Sequence, residues 1–164
     1  MKLGVLKEPK GETRVAIVPT SLKKLHKAGF EVVIESGAGV AANYHDAEYE
    51  AAGATVGSRD DVLACGTIIT IRFPGIEGMK PGTNLACVSD PFRNPQYVKD
   101  CLSSKITLLS MDMIPRRLSR AQSMDVNSSQ DNLAGYKAVL LGAAHVPKGI
   151  PMMTTSAGTV RPAK

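Results

Sequence analysis

The chain contains no tryptophan, and its four tyrosines and three phenylalanines bring aromatics to only 4% of 164 residues. A core without large rings must rest on Val, Ile, Leu, Ala and Met. A nucleic-acid surface that works by stacking would find only Tyr136 in the most basic third of the chain, so no nucleic acid is expected as a partner. Cysteine is sparse and odd in number, at 65, 87 and 101, with no C-x-x-C pair. That count argues against a disulfide framework and suits buried thiols in a reducing compartment. No apolar run approaches the length of a membrane helix. The start, MKLGVLKEPKGETR, has neither the apolar block of a signal peptide nor the acid-poor face of a transit peptide. The three histidines (26, 45, 145) show no metal-ligand spacing, and no metal is expected.

What remains is an ordinary globular composition, 43% hydrophobic and 21% charged, long enough for one domain with a real core. The net charge of +5 is unevenly placed. Acidic and basic residues cancel through Asp100, twelve of each, and the surplus lies from Cys101 onward. A pyrophosphate-bearing ligand or an acidic partner domain suits such a bias.

Short apolar strands alternate with helical segments, which predicts a parallel α/β sheet, Rossmann-like or flavodoxin-like, with helices on both faces. The strands are expected at Lys2–Leu6, Glu31–Glu35, 54–56, Thr67–Arg72, Asn84–Val88 and 106–110. Runs such as VVI and TIITI suit strands covered on both faces. Helices are expected from an N-cap at Thr20 to Gly29, from a cap at Asp46 to Gly53, from a cap at Ser58 toward Cys65, and from Asn94-Pro95 onward. A last helix begins after a cap at Asn127 or Ser128 and places Leu133, Tyr136, Leu140 and Ala144 on one stripe. Residues 1–146 are read as the domain, and 147–164 as a linker or frayed tail.

Three motifs compete for a functional reading. Gly37-Ala38-Gly39-Val40-Ala41-Ala42 is a G-x-G-x-x-A after the strand VVIE, with Asp60 and Asp61 about twenty residues on, as in a dinucleotide fold. Asn43 to Asp46 look like a fresh turn and cap, however, so a glycine-enabled turn is the better account. Arg116-Arg117-Leu118-Ser119 has the form of a basophilic kinase site, a string common by chance. The third is Pro115–Ala138, PRRLSRAQSMDVNSSQDNLAGYKA, which has arginines at 116, 117 and 120, then Gln122, Ser123, Asp125 and Ser128 at a helix start. Arginine, carboxamide, carboxylate and hydroxyl groups can bind the carboxamide and ribose hydroxyls of a nicotinamide nucleotide.

That string, with KLGVLKEPKGETRVAIVPT at the start and PMMTTSAGTVRPAK at the end, resembles the NAD(H)-binding component of proton-translocating nicotinamide nucleotide transhydrogenases. The resemblance covers nearly the whole chain and extends to the related alanine dehydrogenases. It implies a portion of an oxidoreductase that positions NAD(H) for hydride transfer to NADP+, with Arg117, Gln122 and Asp125 at the nicotinamide and Ser123 and Ser128 beside them. Such a transfer needs two rings held together with water excluded, and no general base. Family members read P-R-x-[ST]-R-A-Q, one residue shorter than here. Counting back from Gln122 selects Arg117, counting on from Pro115 selects Arg116, and Arg117 is taken. Asn127 stands where leucine is usual.

The resemblance further implies partners: a dinucleotide-binding lobe, the NADP(H)-binding and membrane components, and a homodimer. It implies a cytoplasmic chain, or one peripheral to the inner face of the membrane through those partners, with no direct insertion. Alone, the chain is expected to bind NAD(H) weakly or not at all and to be inactive. The alternatives are a non-catalytic partner-binding or regulatory module of the same fold, and an alanine dehydrogenase-like lobe. In the latter family an Arg, a Lys and a later His handle the substrate. Arg14 and Arg72 stand at the first two places, and SDPFRNP carries no histidine. Arg14 and Arg72 are read as structural ion-pair residues.

Overall fold

The computed structural model describes residues 1–162, so the last two residues of the expected tail lie outside the described residues. The chain divides into two compact units, Met1–Met124 and the stretch from Asp125 onward. The division falls at the start of a long helix, none of whose residues is buried.

The first unit is a six-stranded parallel sheet in the order β3-β2-β1-β4-β5-β6. Its strands are β1 (Lys2–Val5), β2 (Glu31–Glu35), β3 (Thr55–Gly57), β4 (Thr67–Arg72), β5 (Asn84–Val88) and β6 (Thr107–Ser110). All six expected strands are present, as is the doubly wound order of a Rossmann-like fold. Between them lie α1 (Pro19–Lys27), α2 (Asp46–Ala51), α3 (Arg59–Leu63) and α4 (Pro95–Ser103), and a short α5 (Ser119–Gln122) follows β6.

The alternation of strand side chains builds two cores. Leu3, Val5, Val32 and Ile34 pack with Leu22 of α1 and Tyr49 of α2 on one face. Val33, Ile68, Leu85 and Cys87 pack with Val62 of α3 and Cys101 of α4 on the other. The strand glycine Gly4 belongs to this second face, where a Cβ would lie 2.8 Å from the Val62 carbonyl oxygen. Only glycine lets α3 approach β1 so closely.

Two expected caps are displaced by one or two residues. Val18 precedes α1 with Pro19 as its first residue, and Thr20 sits inside the first turn. A proline there removes an orphan N–H and fixes a helical φ, so no side-chain cap is needed. His45, not Asp46, is the N-cap of α2, and Glu48 reaches back to accept from the His45 N–H at 2.9 Å. Ser58 caps α3 as expected, with Asp61 completing a reciprocal box. All three cysteines are free and buried, as their placement in strands and helices implied.

The second unit consists of α6 (Val126–His145) and an antiparallel hairpin of β7 (Met153–Thr155) and β8 (Gly158–Val160). The hairpin lies within the stretch expected to be a linker or frayed tail. Ser156-Ala157 forms a two-residue turn, Gly158 supplies a φ of 126°, and the Thr155 hydroxyl donates to the Gly158 carbonyl. The stripe Leu133, Tyr136, Leu140 and Ala144 is exposed rather than packed.

Candidate functional site

In a doubly wound sheet, ligands bind outside the carboxyl ends of the strands where the winding reverses. Here that place lies between β1 and β4. The segment after β1, KEPKGETR, holds it together through two glutamates. β4 carries a bulge between Ile69 and Arg72 that breaks its register with β5. The Glu8 carboxylate fills the gap, accepting from the amides of Ile71 at 2.6 Å and Arg72 at 2.9 Å. Burial raises the Glu8 carboxyl above its ordinary pKa and outweighs these two bonds, which act to lower it. Glu12 accepts from Arg14 Nε at 2.7 Å and Nη2 at 2.6 Å, and from Arg72 Nε at 3.1 Å. The Arg14 hydrogen bond is the main reason the Glu12 carboxyl falls to about 2.

Arg14 and Arg72 are thus ion-paired through one carboxylate, as expected. The glutamates are not foreseen by the sequence. Their signal is present, two acids four residues apart between a strand and an arginine, but acids in a loop ordinarily face water. A cavity of about 180 Å³ opens beside this cluster, walled by Lys7, Glu8, Glu12, Arg14 and the Gly37-Ala38 turn.

The G-x-G-x-x-A segment is a turn. Val40–Ala42 forms one turn of 3-10 helix that ends at Asn43, whose φ of 62° is left-handed. Asp46 occupies the place an anion would take, accepting from the Gly37 amide at 2.9 Å and the Ser36 hydroxyl at 2.7 Å. Gly39 is required for packing, since a Cβ there would lie 2.7 Å from the Tyr44 carbonyl oxygen and from the Tyr49 ring. Tyr49 is itself fixed by donating to the Ile17 carbonyl at 2.9 Å.

The Arg117–Ser128 set falls on both sides of the division between the two units. In the first unit, α5 is a short helix that the sequence pattern does not announce. Ala121 is buried and anchors it, while Arg117, Leu118, Gln122 and Ser123 are exposed. Ser123 donates its hydroxyl to the Arg120 carbonyl at 3.1 Å. In the second unit, Asp125 is the N-cap of α6, a role expected of Asn127 or Ser128. One carboxylate oxygen accepts from the amides of Asn127 at 3.0 Å and Ser128 at 3.1 Å. The other accepts from the Ser128 hydroxyl at 2.5 Å. The shift follows from spacing, since an Asp side chain reaches the amides two and three residues on. Among the described residues, no group of three or more His, Cys, Asp or Glu could hold a metal, and no helix is long and apolar enough to cross a membrane.

Residues 4–134 match the family model described as "Alanine dehydrogenase/PNT, N-terminal domain". The chain belongs to this family. Over its whole length it is 43% identical to the first part of NAD(P) transhydrogenase subunit alpha of Rhodospirillum rubrum, of which it covers 45%. The crystal structure of transhydrogenase from Sinorhizobium meliloti superposes on 99% of the chain with a TM-score of 0.94 and 41% identity, and the chain covers 50% of that structure. Alanine dehydrogenase of Methanococcus maripaludis is 31% identical over 90% of the chain, which covers 40% of it. The chain therefore spans about half the length of the relatives it matches.

Proposed function

We propose that the chain is the N-terminal lobe of the NAD(H)-binding component of a proton-translocating NAD(P)+ transhydrogenase. The observation that carries this reading is the end-to-end likeness to the transhydrogenase alpha subunit, at an identity well above that to alanine dehydrogenase. Residues 1–146 form the lobe, and the following segment leads toward a dinucleotide-binding lobe outside this chain. In the assembled enzyme Arg117, Gln122 and Asp125 contact the nicotinamide of NAD(H), with Ser123 and Ser128 beside them. Bound NAD(H) supplies the hydride. The Gln122 carboxamide, exposed after a short anchored helix, can donate and accept at once, and so orient a ring carboxamide against the facing nucleotide. Asp125 and Ser128, tied to each other at a helix start, provide a fixed acceptor and hydroxyl for the ribose side. The partners are a dinucleotide-binding lobe, the NADP(H)-binding component and the membrane component, with a second copy completing a dimer. The chain works in the cytoplasm or at the inner face of the membrane through them.

The ion-paired Arg14 and Arg72 support this assignment over an alanine dehydrogenase-like one. Both arginines already share Glu12, and Ser89–Pro95 offers no histidine for acid–base work.

The test uses the chain completed with the remaining sequence of the Rhodospirillum rubrum subunit and supplied with the NADP(H)-binding component. Gln122→Asn is expected to lower hydride transfer by about 100-fold with NADH affinity little changed, since an ångström of misplacement costs about that much. An unchanged rate sinks the assignment of Gln122. The 164-residue chain alone is expected to show no turnover and no micromolar NADH binding by calorimetric titration.

A further inference from the structure

A further group of polar side chains gathers at the carboxyl end of the sheet, between β5 and β6. Backbone pairing of these strands ends at Cys87 and Ser110. There β6 turns away into one turn of 3-10 helix, Met111–Met113. The next amides on the β5 side, those of Ser89 and Asp90, still need acceptors. The Asp112 carboxylate supplies both, Oδ1 accepting from the Ser89 amide at 3.2 Å and Oδ2 from the Asp90 amide at 3.0 Å. Oδ1 also accepts from the Ser110 hydroxyl at 2.7 Å. A hydroxyl has one proton to give, so the buried Ser89 hydroxyl is the donor in its 2.7 Å contact with Ser110. Burial acts to raise the Asp112 carboxyl, but the hydrogen bonds from Ser110, Ser89 and Asp90 outweigh it and leave it below its ordinary pKa.

What Asp112 grips is a strained turn. Asp90 has a φ of 45°, in the left-handed region that a residue with a Cβ rarely adopts. The Asn94 side-chain amide closes the turn from the other side, donating to the carbonyls of Asp90 at 3.2 Å and Ser89 at 3.4 Å. Backbone held in this way collects at functional sites, where the surroundings over-determine it. Here the holding group sits at the root of the segment that carries Arg117 and Gln122. That segment runs on from Asp112 through a turn closed by the Leu118 amide on the Pro115 carbonyl at 3.2 Å, and then into α5. Ala121 is 5% exposed and anchors the far end. Gln122 is therefore placed from two points: Ala121 beside it, and Asp112 where the segment leaves the sheet. All of these groups lie in the first unit.

We infer that Asp112 is a positioning residue for hydride transfer, latching the 114–122 segment to the 89–94 turn so that the Gln122 carboxamide meets the nicotinamide at a fixed place. This rests on the reading of Gln122 as a nicotinamide contact. Asp112 acts through the backbone: its two oxygens tie together the two connections that leave β5 and β6, so a displaced carboxylate shifts the root of the segment. An asparagine cannot replace it, because it offers one acceptor oxygen and turns an NH2 group toward the other amide, donor against donor. A glutamate can keep the grip. Glu8 shows this at β4, where it accepts from the consecutive amides of Ile71 and Arg72.

Amide hydrogen exchange in the 164-residue chain reads the latch directly. Asp112→Asn is expected to speed exchange at least about tenfold at Ser89, Asp90 and Ala121 and to leave β1 and β2 as they are, the pattern of a local opening. Unchanged exchange at Ala121 overturns the inference. Hydride transfer is then measured in the completed subunit with its NADP(H)-binding component. Asp112→Asn is expected to lower the rate by about tenfold with NADH affinity little changed, and Asp112→Glu to recover most of the loss. Ser58→Ala removes the cap of α3 and destabilises the same unit, yet is expected to leave the rate as it is, so lost stability alone does not imitate the effect. Should Asp112→Asn fold poorly, Ser110→Ala carries the same measurements by removing one donor to the carboxylate, with a fall of about threefold expected. The double variant decides the route. If Asp112 works through Gln122, adding Asp112→Asn to Gln122→Asn lowers the rate by less than about threefold more. Full additivity, or no fall from Asp112→Asn in a folded subunit, overturns this inference and leaves the assignment of Gln122 standing. An unchanged rate in Gln122→Asn alone withdraws both.

Discussion

Glu12 receives hydrogen bonds from two arginines of different segments, Arg14 in its own loop and Arg72 at the end of β4. Its carboxyl titrates at about 2 in the folded protein against an ordinary 4.5, with the Arg14 hydrogen bond as the chief cause. A lowered folded-state pKa means that this group stabilises the fold fully above pH 4.5 and loses that contribution as pH falls from there toward 2. Replacing Glu12 by Gln removes the charge and should cost about 2 kcal/mol at pH 7, typical for hydrogen bonds to charged partners. Urea midpoints of the two proteins should converge as pH falls from about 4.5 toward about 2.5. A gap that stays constant with pH would show that Glu12 stabilises by packing alone. Asp125 poses a different question, because it both caps α6 and is proposed to face the cofactor. Asp125→Asn keeps an acceptor oxygen for the Asn127 and Ser128 amides and should leave stability within about 0.5 kcal/mol, whereas Asp125→Ala should cost about 1 kcal/mol of helix stability. Circular dichroism melts of α6 separate the two, and an equal loss in both variants would mean the charge itself holds the helix end.

Among the elements, the turn Gly37–Ala42 shows how a fingerprint and a fold can share a spelling. The glycines answer to close approach: Gly37 takes a φ of 73° and Gly39 lies against Tyr44 and Tyr49. Gly39→Ala should therefore destabilise the first unit by about 1–3 kcal/mol, the range for overpacking a dense site. Scanning calorimetry should show it as a lowered midpoint, and a full-stability Gly39→Ala would point back to a ligand-binding turn. The positions of all six strands are legible because short apolar runs stand between glycine and proline punctuation. The caps of α1 and α2 are misplaced by the sequence because Pro19 and Glu48 do the work for which Thr20 and Asp46 look suited. The hairpin at Met153–Val160 is hidden because MTTSAGTV alternates weakly and its residues bury nothing. At the site, Gln122, Ser123, Asp125 and Ser128 stand out by residue type, while Glu8 and Glu12 do not. Their task is set by a bulge in β4, about sixty residues away, which no local pattern announces.

At the scale of the whole molecule, stability and function divide differently. Both cores lie within Met1–Met124, built from the sheet and from α1 to α4. The long helix α6 adds twenty residues and buries none of them, although Leu133, Tyr136, Val139, Leu140 and Leu141 are apolar. A helix with apolar residues around most of its girth ordinarily belongs inside a larger structure. Without such packing, a helix of this length is only marginally stable in water. A chain ending after Met124 should accordingly remain folded and cooperative, with a thermal midpoint within a few degrees of the 164-residue protein. It should lose helical circular dichroism amounting to no more than α6. Limited proteolysis of the longer chain should cut within Asp125–Arg161 first and leave a core of the shorter length. If the truncated chain proves insoluble or melts far below the parent, then α6 or the hairpin contributes to the fold of the first unit.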